Sequence, residues 1–206
     1  MPDRHLLCRS RCILRNGRAL STLAGLVVCM LAAGCTGESG TKASEPTLRV
    51  PGQTKPYAVS IRDTRANDPY SFGAMEVCLS RAGHATLTAV HLEGGSGTLV
   101  LESYALRPVA SDHEELGDGA GPLTNWTGFH PGGGQALDGV CSDTSATASD
   151  HTQELGLQLS RIGDASASSM TLRLTYDNGS GARDLQLAYA FTLCAPADSS
   201  TPACRP

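Results

Sequence analysis

The side chains best suited to bind a ligand or a metal lie in one long segment, residues 108–139. Its carboxylate and imidazole groups, the ligand types that divalent metals favour, are Asp112, His113, Glu114 and Asp118. The acids follow the early positions of a calcium loop, but Leu123 stands where such a loop needs a bidentate carboxylate. We therefore expect no cofactor, and keep a metal carrier or metal-dependent enzyme built on Asp112–Asp118 as an alternative.

Two aromatic rings and an imidazole follow in the same segment: Trp126, Phe129 and His130. Loops positioned by a rigid scaffold often carry the residues that bind sugars or peptides. We therefore hypothesise that these three residues form a ligand patch. The alternative is that Trp126 and Phe129 fold back as a lid over the open end of the domain.

Sequence signatures of catalysis are absent. The stretches Gly95–Gly97 and Gly179–Gly181 each place a serine between glycines, but neither has the five-residue frame of a nucleophile elbow. The chain contains no phosphate-binding loop, no zinc-protease motif and no dinucleotide fingerprint. The sequence thus favours a non-catalytic binding or interaction protein, with a purely structural envelope component as a further alternative.

The first 34 residues have the order of an export signal. Residues 1–19 carry five arginines against one acid, Asp3, and the next 15 residues are uncharged. The uncharged run is shorter than the roughly 20 residues that a membrane-spanning helix needs. This pattern predicts a signal peptide over residues 1–34.

The segment Leu31-Ala32-Ala33-Gly34-Cys35 places small residues directly before a cysteine. It resembles the lipobox of bacterial lipoproteins, although the family usually has leucine where this chain has Ala32. The resemblance implies cleavage before Cys35, fatty acylation of its thiol and new amino group, and anchoring to the outer face of the cell membrane. With its many arginines, alanines and glycines, the chain is similar to actinobacterial lipoproteins of unassigned function.

The net charge of the chain after residue 34 disfavours some classes of binding partner. Without the five arginines and one aspartate of residues 1–34, the chain keeps 11 basic and 19 acidic residues, a net charge of −8. An acidic surface disfavours nucleic acid, whose phosphates are bound by Lys and Arg. An envelope protein or a glycan is the expected partner, beside the membrane that the lipid would enter.

Four of the eight cysteines follow Cys35, at positions 78, 141, 194 and 204. An even number in an exported chain predicts two disulfides, for which three connectivities are open. We favour Cys78–Cys141 with Cys194–Cys204, because the second ring would pin the tail at residues 196–206 onto the last strand.

The region between Cys35 and Lys55 has the composition of a flexible linker, rich in Gly, Ser, Thr, Pro and charge. Beyond it, apolar residues recur at every second position, which predicts strands. Seven strands are expected, over residues 57–62, 72–79, 85–93, 98–107, 154–162, 170–176 and 185–193.

Two pairs of these strands have the connections of hairpins. A glycine-rich stretch, Gly94–Gly97, joins the third and fourth strands, and Asp177–Gly181 joins the last two. Met170, Leu172, Leu174 and Tyr176 should point the same way. With no sustained helical period, the sequence predicts an all-β domain over residues 56–195. We expect an antiparallel two-sheet sandwich, immunoglobulin-like or similar.

Overall fold

The computed structural model describes residues 45–53, 55–109, 117–141, 152–198 and 200–204, all within one compact unit. The fold is all-β, as predicted. The strands of the described residues are β1 Leu48–Arg49, β2 Tyr57–Ile61, β3 Tyr70–Leu79, β4 Ala85–Glu93, β5 Thr98–Pro108, β6 Asp118–Ala120, β7 Gln135–Leu137, β8 Gln153–Ile162, β9 Ala167–Ser169, β10 Thr171–Asp177, β11 Ala182–Leu187 and β12 Tyr189–Leu193. Short 3-10 helices cover Leu123–Asn125, Pro196–Asp198 and Pro202–Cys204.

The strands form three sheets, where the sequence predicted two. The largest has the order β1-β3-β8-β5, with β6 also paired to β3, and the second has the order β11-β10-β4-β7. The third sheet is β2-β12-β9, and its β2–β12 pair is parallel. A single core of mainly leucine and aromatic side chains includes residues of all three sheets.

The third sheet exists because one predicted strand changes partners. Leu187, Tyr189, Phe191 and Leu193 are all buried, so alternation runs unbroken through Ala188. Hydrogen bonding nevertheless switches there, since β11 pairs with β10 whereas β12 pairs with β2 and β9. The predicted strand over residues 185–193 is therefore two strands in two sheets.

One predicted hairpin is confirmed and the other is wrong. β10 and β11 pair antiparallel, with Leu174 opposite Leu185, and Asp177 Oδ1 accepts the Gly179 amide at 2.7 Å in the turn. β4 and β5 do not pair with each other, because β4 joins β10 and β7 while β5 joins β8. The Gly94–Gly97 stretch is instead a crossing between sheets.

The glycines of this crossing allow close backbone approach. Gly95 and Gly97 have φ values of +91° and +68°. A Cβ at Gly95 would lie 2.1 Å from the Ser168 carbonyl oxygen, and one at Gly97 would lie 2.6 Å from the Ser166 oxygen. The crossing thus lies directly against the β9 segment, at a distance that no other residue type tolerates.

The inward orientation predicted for β10 is correct for Leu172, Leu174 and Tyr176, which are all buried. It is wrong for Met170, whose side chain is 66% exposed. Met170 precedes the first β10 residue, and its amide donates to the Glu93 carbonyl where the chain leaves β9. The strand alternation therefore does not extend back to this position.

The predicted linker ends too late. Leu48 is buried and pairs with Leu79 through β1, and the Pro46 carbonyl accepts the Asn178 side-chain amide at 2.9 Å. The domain thus begins upstream of residue 56. The physical reason is that Leu48 and Val50, two positions apart, both bring apolar side chains to the core, Leu48 from β1 and Val50 from just after it.

The favoured disulfide pairing is confirmed. Cys78 joins Cys141, and Cys194 joins Cys204, with Cα separations of 5.1 Å and 5.9 Å. The second bridge follows directly on β12 and holds the two 3-10 helices of the tail. Each bridge contributes about 2–4 kcal/mol to the free energy of unfolding.

Candidate functional site

Of the four predicted metal-binding residues, the structure describes only Asp118. Asp112, His113 and Glu114 lie outside the described residues, as does Cys35. Asp118 is exposed at the start of β6, opposite Phe72 of β3. Among the described residues, no group of three or more His, Cys, Asp or Glu side chains is arranged to hold a metal ion.

The predicted aromatic patch is a packed loop, residues 121–130. Phe129 is only 2% exposed and forms a small cluster with Leu123 and Ala105, against which the half-buried Trp126 packs. His130 is exposed. The hypothesis of an exposed ligand contact is therefore wrong for Phe129. We call this packed segment, residues 121–130, the lid loop.

A glycine of β8 makes room for this lid. A Cβ at Gly156 would lie 2.6 Å from Phe129 Cε1 and 2.7 Å from Leu123 Cδ1. The Leu123 amide also donates to Gln158 Oε1 at 2.9 Å, so β8 binds the loop by both packing and a hydrogen bond. The Phe129 ring occupies the space that a side chain at Gly156 would fill, which explains why the ring is buried.

A buried ion pair next to the lid loop holds the loop in place. Arg107 of β5 bonds to Glu154 Oε2 of β8 through Nη2 at 2.5 Å and Nε at 2.6 Å. Its Nη1 donates to the Thr127 carbonyl at 2.9 Å, and the guanidinium lies 4.6 Å from the Phe129 ring centroid. Removing one partner of such a buried pair typically costs about 3–5 kcal/mol. The loop is thus held by structural interactions.

A different region contains a pocket of about 460 Å³, which lies within the size range of small-molecule sites. It opens between the crossing that carries Ser96, the β9 segment and the C-terminal ring closed by Cys194–Cys204. Its polar lining residues are Ser96, Ser166, Ser168, Thr192, Asp198 and Thr201. Ala167, Pro202 and Ala203 supply an apolar wall.

Asp198 is the acidic group of this pocket. Its Oδ2 atom accepts the amide and the hydroxyl of Ser166, both at 2.8 Å. These two hydrogen bonds, the backbone one first, lower the pKa of the Asp198 carboxyl below its ordinary value, and the charge of Arg161 adds to the effect. The pocket therefore carries a negative charge at neutral pH.

The buried Arg161 connects the pocket region to the rest of the fold through hydrogen bonds. Its Nε donates to Thr64 Oγ1 at 2.8 Å and its Nη2 to the Thr64 carbonyl at 2.5 Å, while Nη1 donates to the Gly163 and Ala165 carbonyls. Thr64 in turn donates its amide and hydroxyl to the Cys194 carbonyl, each at 2.9 Å. Arg161 thus links the segment before β9 to the disulfide ring.

Sequence reasoning missed the pocket. Its serines and threonines are common residues with no motif spacing, and they come from segments far apart in the chain. The one available signal was the short Cys194–Cys204 ring, which predicted a pinned tail but not what the tail would face.

No protein-family model matches the sequence, and no curated protein matches it at a significant level. No helix in the described part of the chain is both long and apolar enough to cross a bilayer. The functional conclusion therefore rests on the residues themselves.

Proposed function

We propose that the protein is a lipoprotein of the cell envelope, anchored by lipid on Cys35 to the extracytoplasmic face of the cell membrane, with a non-catalytic binding module of β-sheets. The lipid would place the module at the membrane surface, since two or more acyl chains give stable attachment. The module would then bind a ligand or an envelope partner near that surface.

The observation that carries the anchoring proposal is the use of the cysteines. All four cysteines after Cys35 are consumed in pairs with one another, Cys78 with Cys141 and Cys194 with Cys204. None of them is available to form a disulfide with Cys35. Two disulfides also suit an exported protein, because cytosolic thiols are kept reduced. The Cys35 thiol is therefore left over for acylation in the processed chain.

The pocket supports the binding part of the proposal. It combines a size suited to a small molecule with one anionic group and several hydroxyls, and it lies against a disulfide ring that stiffens one of its walls. Pockets with a few convergent polar groups are the usual form of small-molecule sites. A stiff wall lowers the conformational entropy lost on binding.

Fatty-acid labelling of the full chain in a bacterial host tests the anchor. Wild type should incorporate labelled palmitate and sediment with membranes, whereas Cys35→Ser should lose the label and leave the membrane fraction. Cys29→Ser, a cysteine substitution within the predicted signal peptide, is the matched control and should leave mature labelling unchanged. Label retained in Cys35→Ser, or a bare amino terminus at residue 35 by mass spectrometry, contradicts the proposal.

A further inference from the structure

The serines of the pocket have used most of their hydrogen-bond donors. The Ser166 amide and hydroxyl both donate to Asp198, the Thr201 amide donates to the Asp198 carbonyl at 2.9 Å, and the Ser168 amide donates to the Ser96 carbonyl at 2.7 Å. The Ser96 and Ser168 hydroxyls lie 3.2 Å apart and share one hydrogen between them. That pair retains one spare hydrogen, and little other donor capacity is left at these residues.

Acceptor capacity is left over at the same residues. Both hydrogen bonds to the Asp198 carboxylate reach Oδ2, and no described residue donates to Oδ1. The Ser166 oxygen accepts the Ala195 amide at 2.9 Å and keeps a second lone pair. The Ser168 hydroxyl oxygen accepts the Ser96 amide at 3.1 Å, whereas the Ser96 hydroxyl oxygen retains at least one lone pair. The pocket is therefore rich in acceptors and carries a negative charge.

We propose that this pocket binds a small organic ammonium, a molecule with at least one protonated primary amine that hydrogen-bonds to Asp198 and the serine oxygens. An alkylammonium has three donors and no acceptor, which matches the acceptors at Asp198 and the serines. A neutral polyol brings as many acceptors as donors, and an anion is repelled by Asp198. This inference rests on the proposed binding role and specifies its ligand.

The positive charge of Arg161 does not abolish the attraction of Asp198 for an ammonium group. Four of its five N–H groups donate to Thr64, Gly163 and Ala165 oxygens, and none of these four binds the carboxylate in place of a ligand. An ammonium in direct contact with Asp198 interacts at hydrogen-bond distance, and attraction between charges falls off with separation. Charge-assisted hydrogen bonds of this kind are roughly twice as strong as neutral ones.

Calorimetric titration of the full-length protein, purified in detergent, tests the ligand class with two matched pairs. Putrescine and butane-1,4-diol differ in amines against hydroxyls, and glucosamine and N-acetylglucosamine differ in whether the amine is free. We expect saturable binding of at least one amine, and at least tenfold weaker binding of its uncharged partner. The pairs also separate an aliphatic amine from an amino sugar as the source of the ammonium.

Three variants locate the binding. Asp198→Asn keeps an oxygen that accepts the Ser166 bonds but removes the charge, and should weaken amine binding by about tenfold or more. Ala203→Trp places a large ring on the exposed apolar wall and should block the pocket without deleting a hydrogen bond. Asp164→Asn removes one charge from an exposed residue outside the pocket lining and should bind like wild type.

The outcomes separate this inference from the proposed function. Equal binding of each amine and its uncharged partner, or amine binding that neither pocket variant reduces, overturns the inference. If no amine binds but Ala203→Trp abolishes binding of another small molecule from a wider screen, the inference fails and the binding role stands. If nothing in that wider screen binds the pocket, the inference fails together with the small-molecule part of the binding role.

Discussion

Two regions of the domain contrast sharply, the lid loop of residues 121–130 and the hydroxyl-lined pocket beside the C-terminal ring. The lid carries the chain's single tryptophan and one of its three phenylalanines, yet Phe129 is buried against β5 and β8. Half of the ten residues that line the pocket are serine or threonine, yet the pocket is open to solvent and holds a charged carboxylate. The aromatic residues of the lid loop pack against the domain, whereas common residue types, among them serine and threonine, line the pocket.

The two regions differ in how completely their charged groups are paired within the protein. In the lid, Arg107 contacts Glu154, the Thr127 carbonyl and the Phe129 ring, so its charge is neutralised within the protein. In the pocket, Asp198 accepts both of its hydrogen bonds through Oδ2, and no described residue donates to Oδ1. Binding needs groups whose interactions are incomplete, so hydrogen-bond accounting distinguishes the two regions better than residue type does.

The largest expected effect is on the lid. Phe129→Ala should lower the free energy of unfolding by about 3–5 kcal/mol, because it leaves a cavity beside Leu123 and Gly156. Urea denaturation measures this, and His130→Ala, an exposed neighbour, should change stability by less than about 0.5 kcal/mol. Amine binding to the folded variant should be unchanged. A large loss of amine binding in folded Phe129→Ala would mean that the two regions are not independent.

The two disulfides should separate stability from binding. Replacing Cys78 and Cys141 with serine opens a ring with a sequence separation of 63, against 10 for Cys194 and Cys204. In the chain-entropy model the first pair should cost about 1–2 kcal/mol more than the second. The second replacement should nevertheless reduce amine binding more, since its ring forms one pocket wall. Equal loss of binding in both variants would contradict the distinction.

The smallest expected effect is a pH dependence confined to the pocket. The folded-state pKa of Asp198 is lowered, so its contribution to stability is complete above the unfolded value of about 4 and is lost as pH falls through the folded value. The stability difference between wild type and Asp198→Asn should therefore shrink below about pH 4. Denaturation curves from pH 3 to 7 measure it, and a difference that grows on acidification would reverse the assignment.

Several features of this protein follow from the chain alone. Period-two alternation located the eight strands of five or more residues, the last two as one run, because residues of a strand facing a common core must be apolar at every second position. Asp177–Gly181 predicted a hairpin that β10 and β11 form, since asparagine and glycine suit the backbone of a tight turn. An even cysteine count and a short terminal ring predicted the disulfides. These are local or compositional signals.

Strand partners were decided only by tertiary structure. Alternation runs unbroken from Leu187 to Tyr189, although hydrogen bonding passes from β10 to β2 and β9 between them. The Gly94–Gly97 stretch has hairpin chemistry, yet it joins two sheets because its glycines permit contact with the β9 segment. Side-chain periodicity reports which face is buried and carries no information on which strand lies alongside.

The pocket is the clearest case of a feature made by the fold. Ser96, Ser166 and Asp198 meet because a sheet crossing, the β9 segment and a disulfide ring converge, and hydrogen bonds over 32 positions of sequence hold the last two together. The lid loop is the opposite case. The residue type of Phe129 suggested an exposed ligand contact, but the fold buries its side chain. The amino-acid sequence determined the longer strands and which cysteines remain for pairing, through local backbone preference and composition. Only the tertiary structure decided which polar groups are left unsatisfied, because that depends on every neighbour that packing brings.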